Sequence, residues 1–310
     1  MSCRHLSSLL VIFSLLLCAC GPAAQPTATP GESGASLRVL AVETFLVDIA
    51  QNVAGSRLKV AALLPVGVDP HGYEPTPSDA AKVANSDVLI INGAGFEAFL
   101  QNLLQHAGGQ RLVIESSAGL TSRLPKQGEQ APSEGTDPHF WLDPNNAIKY
   151  VENIRDGLSR ADPDGTAVYA ANAQAYIAQL KELDGWIAEQ VQMVPPERRL
   201  LVTNHESFGY FADRYGFKVI GAIVPSVSTE ASPSAQQLAR LVDSIKAAGA
   251  VAIFLETGSN LQLAQQVAQD AGVKVVTGLY THSVSAADGP APTYIEMMKY
   301  NTRAIVEALK

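Results

Sequence analysis

The chain has 310 residues, of which 47% are hydrophobic and 17% charged, so it is not a disordered or fibrous protein and is long enough for two packed domains. Its 22 basic and 30 acidic residues give a net charge of −8, which excludes a general electrostatic attraction to nucleic acid or to an anionic membrane. All three cysteines lie within the first twenty residues.

The first residues have the pattern of an export signal. Arg4 and His5 precede an apolar run at 9–17, which is too short to span a membrane as a mature helix. The run ends in Leu-Cys-Ala-Cys-Gly, which resembles the signal of bacterial lipoproteins, with Cys20 as the residue that receives lipid. We expect a signal peptide at 1–19, and the lipidated cysteine with a flexible spacer at 20–36. The alternative is an ordinary secretory signal without lipidation.

From residue 37 onward, short β-branched runs alternate with helical patterns, which indicates an α/β fold of two lobes with mainly parallel sheets. In the N-terminal lobe, at 37–161, the predicted strands are 38–42, 58–63, 87–91 and 112–115, and the predicted helices are 45–53, 77–85, 96–105 and 146–160. In the C-terminal lobe, at 195–310, the predicted strands are 200–203, 218–223, 250–255 and 273–276, and the predicted helices are 207–215, 234–248, 261–270 and 293–309.

One long helical pattern at 162–194 lies between the lobes. Asp162-Pro163 is typical of a helix start, Pro195-Pro196 of a stop, and apolar residues recur between them at helical spacing. We predict a backbone helix that joins the lobes, with a break near Gly185 as the alternative. The polar segment at 121–136 is predicted to be a long surface loop, which is uncommon unless it is functional or disordered.

Five histidines remain once His5 is assigned to the leader. Four of them follow predicted strands or lie in turn-rich segments, where α/β folds place binding groups: His71, His139, His205 and His282. Separations of 68, 66 and 77 residues mean that each comes from a different loop, two from each lobe. The fifth, His106, lies at a predicted helix end and is interpreted as a solvent-facing residue.

The sequences around these four histidines are specific. They read DPHGYEPTPSD at 69–79, DPHFWLDP at 137–144, NHESFGYFADRYG at 204–216, and YTHSVS followed by YIEMMKYN between 280 and 301. They resemble four signature segments of the zinc- and manganese-binding solute-binding lipoproteins of ABC transporters, and the resemblance covers the chain after the spacer. It implies two α/β lobes joined by a rigid helix, a metal ion enclosed between them, and metal ligands at His71, His139 and His205.

The chain departs from the family at two places. The fourth ligand in the family is usually an aspartate, whereas this chain has His282. The site is therefore all-imidazole, or Asp288, Glu256 or Glu206 supplies a carboxylate. Zinc-uptake members often have a histidine-rich loop before the second segment, but the loop at 121–136 has no histidine.

Ligand type favours Zn2+, because imidazole suits zinc and copper whereas manganese prefers oxygen ligands. Mn2+ is the less favoured alternative, and copper and nickel are also compatible with the donor type. Neutral imidazoles do not cancel the charge of the ion. We therefore expect nearby acids to accept the second N–H of the ligands, with Asp69, Asp137, Glu206 and Glu256 as candidates. Affinity is expected to fall below about pH 6.5, since histidine binds metal in its deprotonated form.

These features predict an extracytoplasmic zinc receptor that delivers Zn2+ to the membrane permease of an ABC transporter. We expect a monomer, anchored through lipid on Cys20 in the periplasm or at the cell surface. A surface adhesin-type lipoprotein is the alternative. An enzyme is not expected: Gly209 stands where an HExxH motif starting at His205 would need its second histidine, and neither GxSxG nor P-loop spacing occurs.

Overall fold

The computed structural model describes residues 37–124 and 136–310, which form two α/β lobes and confirm the predicted fold class. The leader, Cys20, the spacer and most of the 121–136 loop lie outside the described residues. Within the described part, no helix combines the length and apolar character needed to cross a membrane.

The N-terminal lobe is built on a four-stranded parallel sheet with the order β2-β1-β3-β4. Its elements are β1 (Val39–Ala41), α1 (Thr44–Ala54), β2 (Val60–Ala62), α2 (Pro77–Ala84), β3 (Val88–Ile91), α3 (Leu100–Ala107), β4 (Leu112–Glu115) and, after a short 3-10 turn at Phe140–Leu142, α4 (Pro144–Ala161). The strands are nearly continuous apolar runs, as expected for a parallel sheet covered on both faces.

The C-terminal lobe repeats this architecture, with the strand order β6-β5-β7-β8. Its elements are β5 (Leu200–His205), α6 (Gly209–Tyr215), β6 (Lys218–Val224), α7 (Ala235–Ala248), β7 (Ala252–Glu256), α8 (Leu261–Ala271), β8 (Lys274–Leu279) and α9 (Tyr294–Leu309). In sheets of this kind, ligands bind beyond the carboxyl ends of the strands where the strand order reverses. Those positions are between β1 and β3, and between β5 and β7.

Helix α3 begins at Leu100, four residues later than predicted. Residues 93–95 all have positive φ angles, so the chain makes a tight turn directly after β3. The Glu97 carboxylate then accepts hydrogen bonds from the backbone N–H groups of Asn92 and Gly93, at 2.5 and 3.1 Å. These bonds hold the segment before α3 in a loop, which places Phe96 at the end of the sheet.

The linking helix, α5 (Thr166–Val191), is unbroken at Gly185. Its predicted start at 162 is wrong, because Asp162 ends α4 and Pro163–Gly165 forms a separate 3-10 turn. The 26 residues of α5 extend over about 39 Å at about 1.5 Å per residue.

Helix α5 lies against both lobes. Its Asn172 side chain donates to Val53 O in the N-terminal lobe at 3.1 Å. In the C-terminal lobe, Arg214 Nε donates to Asp184 Oδ1 at 2.9 Å. One continuous hydrophobic core includes the inward face of α5 and buried residues of both sheets, while a smaller core covers the outer face of each sheet.

Candidate metal centre

The four histidines singled out in the sequence lie together between the lobes. His71 lies in the segment between β2 and α2, His139 directly precedes the 3-10 turn at Phe140–Leu142, His205 is the last residue of β5, and His282 follows β8 by three residues. All are buried, with His71 and His282 8% exposed and the other two fully enclosed.

Each histidine presents one ring nitrogen to a common centre, and these four nitrogens all lie within 4.8 Å of one another. The ring centroids are 4.9 to 5.7 Å apart. His139 Nε2 and His205 Nε2 are separated by 3.2 Å. A tetrahedral zinc site with bonds of 2.0–2.1 Å has ligand atoms about 3.3 Å apart, so this pair already has the spacing of two ligands of one ion.

Carboxylates accept a hydrogen bond from the second ring nitrogen of two of these histidines. Asp137 Oδ1 lies 2.9 Å from His139 Nδ1, and Glu256 Oε1 lies 2.7 Å from His205 Nδ1. A proton held at Nδ1 leaves the lone pair of Nε2 directed at the centre. The buried Nε2 atoms of His71 and His282 have no hydrogen-bond partner among the described residues. The donor set therefore fits a divalent transition metal.

The two Asp-Pro-His segments form the same hydrogen-bonded turn. In each, the aspartate Oδ1 accepts the backbone N–H of the histidine two residues later: Asp69 to His71 at 3.0 Å, and Asp137 to His139 at 3.1 Å. Such Asx turns fix the direction of the chain at the histidine. The repeated tripeptide therefore orients an imidazole as well as forming a turn.

Burial sets the protonation of three of the rings. It lowers the pKa of His71, His139 and His282, so these imidazoles are neutral, as metal binding requires. Burial also lowers the pKa of His205, but the carboxylates of Glu256, Asp69 and Asp137 together outweigh it and raise that pKa above its ordinary value. Although burial alone would raise the pKa of Glu256, His205 and His282 lower it to about 2.

Aromatic side chains close the site on the side of the N-terminal lobe. The Phe96 ring lies 4.9 Å from His71 and 5.7 Å from both His139 and His282, measured between centroids. Trp141 is fully buried, and its indole N–H donates to Thr281 O at 2.8 Å, next to His282. Thr281 Oγ1 in turn donates to Glu256 Oε2 at 2.5 Å. The loops that bear the histidines are therefore tied to one another across the lobes.

The other candidate residues from the sequence lie at different places relative to the four histidines. Glu256 contacts the cluster, and Asp69 Oδ1 lies 3.6 Å from His282 Nδ1. Glu206 is half-buried and lines a small cavity beside Asp137 rather than the group of four nitrogens. Asp288 is exposed on the loop after His282 and lies outside that group. His106, as predicted, is exposed, with its Nδ1 2.7 Å from Asn102 O.

A pair of buried carboxyl groups at the N-terminal sheet did not emerge from the sequence. Glu43 follows β1 and Glu97 follows β3, at the point where the strand order reverses, and they are 1% and 7% exposed. Burial raises the pKa of Glu97 to about 7 and that of Glu43 well above its ordinary value. Their Asn92 neighbour donates to Pro138 O at 3.1 Å, which connects the pair to the loop of His139.

Comparison with known proteins identifies the family of this chain. The family described as zinc-uptake complex component A, periplasmic, matches residues 39–308. The manganese-binding lipoprotein MntA of Halalkalibacterium halodurans is 39% identical over 299 residues, which cover 96% of this chain and 97% of MntA. The iron-binding protein YfeA of Yersinia pestis is 31% identical over 299 residues, covering 96% of this chain and 93% of YfeA.

Solved structures have the same architecture. The periplasmic zinc binding protein TroA from Treponema pallidum superimposes with a TM-score of 0.80 at 28% identity, covering 89% of this chain and 99% of TroA. A manganese-bound periplasmic metal binding protein from Candidatus Liberibacter asiaticus superimposes with a TM-score of 0.78 at 28% identity, covering 89% of this chain and 100% of its own. The chain therefore belongs to the ZnuA family of metal-binding, substrate-binding lipoproteins of ABC transporters.

Proposed function

We propose that His71, His139, His205 and His282 bind one divalent transition-metal ion as cargo, and that the ion is Zn2+. The observation that supports this most directly is the convergence of four buried imidazoles, two of which have buried Nε2 atoms without a partner among the described residues. Four nitrogen donors and no carboxylate in the group of four form a donor set that suits zinc better than manganese.

Manganese or iron is the second candidate. It is favoured by two carboxylates beside His282, since Asp69 Oδ1 and Glu256 Oε2 lie 3.6 and 3.7 Å from its Nδ1. Oxygen donors are the ligands that Mn2+ prefers, so acids this close to a candidate ligand favour it. The relatives MntA and YfeA are named for manganese and iron, respectively.

The cluster is built for holding an ion rather than for catalysis. A catalytic zinc has three protein ligands and an open position for water, whereas four imidazoles complete a tetrahedron. We therefore propose an extracytoplasmic receptor, not an enzyme, which hands its ion to the membrane permease of an ABC transporter. Cells that lack the protein are expected to lose high-affinity zinc uptake. Normal uptake, with loss of surface attachment instead, would favour the adhesin alternative.

The receptor is proposed to be a monomer held at the membrane by lipid on Cys20, in the sequence Leu-Cys-Ala-Cys-Gly. A Cys20→Ser variant tests this anchor. We expect the wild-type protein to fractionate with membranes and to incorporate labelled palmitate, and the variant to be soluble and unlabelled. A variant that still incorporates palmitate would show that the lipid is attached elsewhere.

Affinity alone does not separate the two metals, because nearly any site binds Zn2+ more tightly than Mn2+. Coordination geometry does. We expect the protein loaded with Co2+ to give the intense visible bands of a tetrahedral ion, whereas a site adapted to manganese would give the weak bands of a six-coordinate ion. Metal analysis of protein isolated from its native compartment, with no metal added, is the second measurement, and zinc in a one-to-one ratio is expected.

His282→Ala identifies the fourth ligand. If His282 is a ligand, the variant binds zinc more weakly and its Co2+ spectrum changes. Full affinity with an unchanged spectrum would instead assign the fourth position to a carboxylate such as Glu256, or to water. His106→Ala is the matched control, because that histidine is exposed and lies outside the cluster.

A further inference from the structure

A cavity of about 230 Å3 lies between the lobes beside the histidine cluster. Residues 67–69 line it from the N-terminal lobe, and the ends of β6 and β7 with the loops after β7 and β8 line it from the C-terminal lobe. His282 and Glu256 are buried members of this lining. The cavity therefore reaches the cluster at His282.

The cavity is large enough for a hydrated ion. Six waters at roughly 30 Å3 each take up about 180 Å3, which fits within the observed volume. The cluster of four nitrogens is far tighter, since all of them lie within 4.8 Å of one another. An ion that passes through the cavity therefore exchanges its water for imidazole at His282.

The lining favours a cation. It contains the carboxylates of Asp69 and Glu256, and none of its described members is a lysine or an arginine. A second cavity, on the side of Asp137, is only about 40 Å3 and is lined by Arg123, which is paired with Asp213. Anionic walls concentrate a cation in the first cavity. The second cavity, which Asp137 and Glu206 also line, is too small for a hydrated ion.

Asp69 connects this cavity to solvent. Its side chain is 44% exposed, and its Oδ1 lies 3.6 Å from His282 Nδ1. Its Oδ2 accepts a hydrogen bond from Thr229 Oγ1 of the opposite lobe at 2.6 Å, while its Oδ1 also accepts from His71 N. The Asp69 carboxylate is thus exposed to solvent and hydrogen-bonded both to the segment that bears His71 and to the facing lobe. It also lies close to His282.

We propose that this cavity, which we call the vestibule, is the route by which the ion reaches His282, and that Asp69 is the first carboxylate that the hydrated ion meets. The inference rests on the proposed function and adds a capture step to it. The hydrogen bond from Thr229 closes the vestibule between the lobes, and an ion bound to Asp69 Oδ2 replaces that bond. Asp69 acts on the rate of capture and is not a ligand in the final site.

The test is stopped-flow transfer of Zn2+ to the full chain, followed with a fluorescent zinc indicator. Asp69→Asn keeps the acceptor for His71 N and removes only the charge. We expect the association rate constant to fall about tenfold at low salt and the dissociation rate constant to stay within about twofold. The difference in association rate is expected to shrink at about 0.5 M salt, which screens the charge. Asp243→Asn is the control, since it removes the same charge from an exposed position on α7 outside the vestibule.

Three results would overturn the proposal. An Asp69→Asn association rate equal to wild type would exclude the capture role. A loss that appears wholly as faster dissociation and does not respond to salt would assign Asp69 to the orientation of His71 instead. If the wild-type protein takes no zinc from the indicator, the proposed function itself fails and this inference fails with it.

Discussion

Glu256→Gln tests the arrangement around the candidate ligands most directly. Glu256 is 5% exposed and accepts hydrogen bonds from His205 Nδ1 at 2.7 Å and from Thr281 Oγ1 at 2.5 Å. The amide has the same size and keeps one acceptor for His205, so the core is not opened. The substitution removes a negative charge beside a bound cation and weakens the bond that orients the imidazole.

The expected loss of zinc affinity is 10- to 100-fold, the usual effect of removing a carboxylate behind a metal-bound histidine. This corresponds to about 1.4–2.7 kcal/mol. The lower half of that range is favoured, because glutamine keeps an acceptor for His205 and the main loss is the negative charge. Competition with a chelator of known affinity at pH 7.5 measures the effect, and Glu189→Gln, on the exposed surface of α5, is the control. An affinity within twofold of wild type would refute a role for Glu256 behind the metal.

The metal-free protein gives a second, independent readout. The pKa of Glu256 is lowered to about 2, so its contribution to stability is present above its unfolded pKa and is lost as the pH falls towards 2. The pKa of His205 is raised, so its contribution is present below its unfolded pKa and is lost as the pH rises through its folded pKa. The pair therefore stabilises the metal-free protein most between roughly pH 4.5 and 6.5. Urea unfolding of Glu256→Gln is expected to show its largest deficit there, and a deficit independent of pH would contradict this.

Three further predictions follow from other sites. His205→Ala is expected to weaken zinc binding more than about 100-fold, beyond the effect of losing a supporting carboxylate, whereas His106→Ala stays near wild type in the same titration. Gly157→Ala would place its Cβ in steric overlap with Ile114 Cδ1, so we expect about 1–3 kcal/mol of destabilisation in urea unfolding. Wild-type stability in this variant would show that Ile114 moves aside without cost. The raised pKa of the Glu43 carboxyl means that the native protein keeps a proton that the unfolded chain releases, so the contribution of this group to stability is lost as the pH rises above the pKa of the unfolded carboxyl. Glu43→Gln is expected to flatten that dependence in thermal unfolding, and an equally steep profile would place the titration elsewhere.

The fold was predictable because parallel strands between helices have continuous apolar runs, and all eight predicted strands overlap the observed ones. Predicted helix boundaries were less accurate where the same local sequence is compatible with two kinds of secondary structure. Asp162-Pro163 suits the start of an α-helix, but it equally suits the 3-10 turn that the chain forms there. The loop before α3 depends on Glu97 accepting from the backbone of Asn92 and Gly93, a contact that periodicity does not reveal.

The convergence of the four histidines was predictable from their motifs, but their surroundings were only partly so. Asp137 and Glu256 were candidates because neutral imidazoles need nearby acids to accept their second N–H, and both contact a histidine ring. The roles of Phe96 and Thr281 depend on three-dimensional packing, and neither residue type signals it. The Glu43–Glu97 pair was equally hidden, since its two members are 54 residues apart and meet only through the pairing of β1 with β3.

The continuous core described above affects how the protein unfolds. Phe45 of α1, Leu180 of α5 and Phe254 of β7 belong to the same buried cluster, although they come from different lobes and from the helix between them. Lobes with separate cores can melt one after the other, whereas a shared core makes their loss a single cooperative event. A ligand held between the lobes then adds its binding free energy to the whole molecule at once. A fragment that ends before α5 would expose the apolar surface that this helix covers, so the N-terminal lobe alone is not expected to be an independent folding unit.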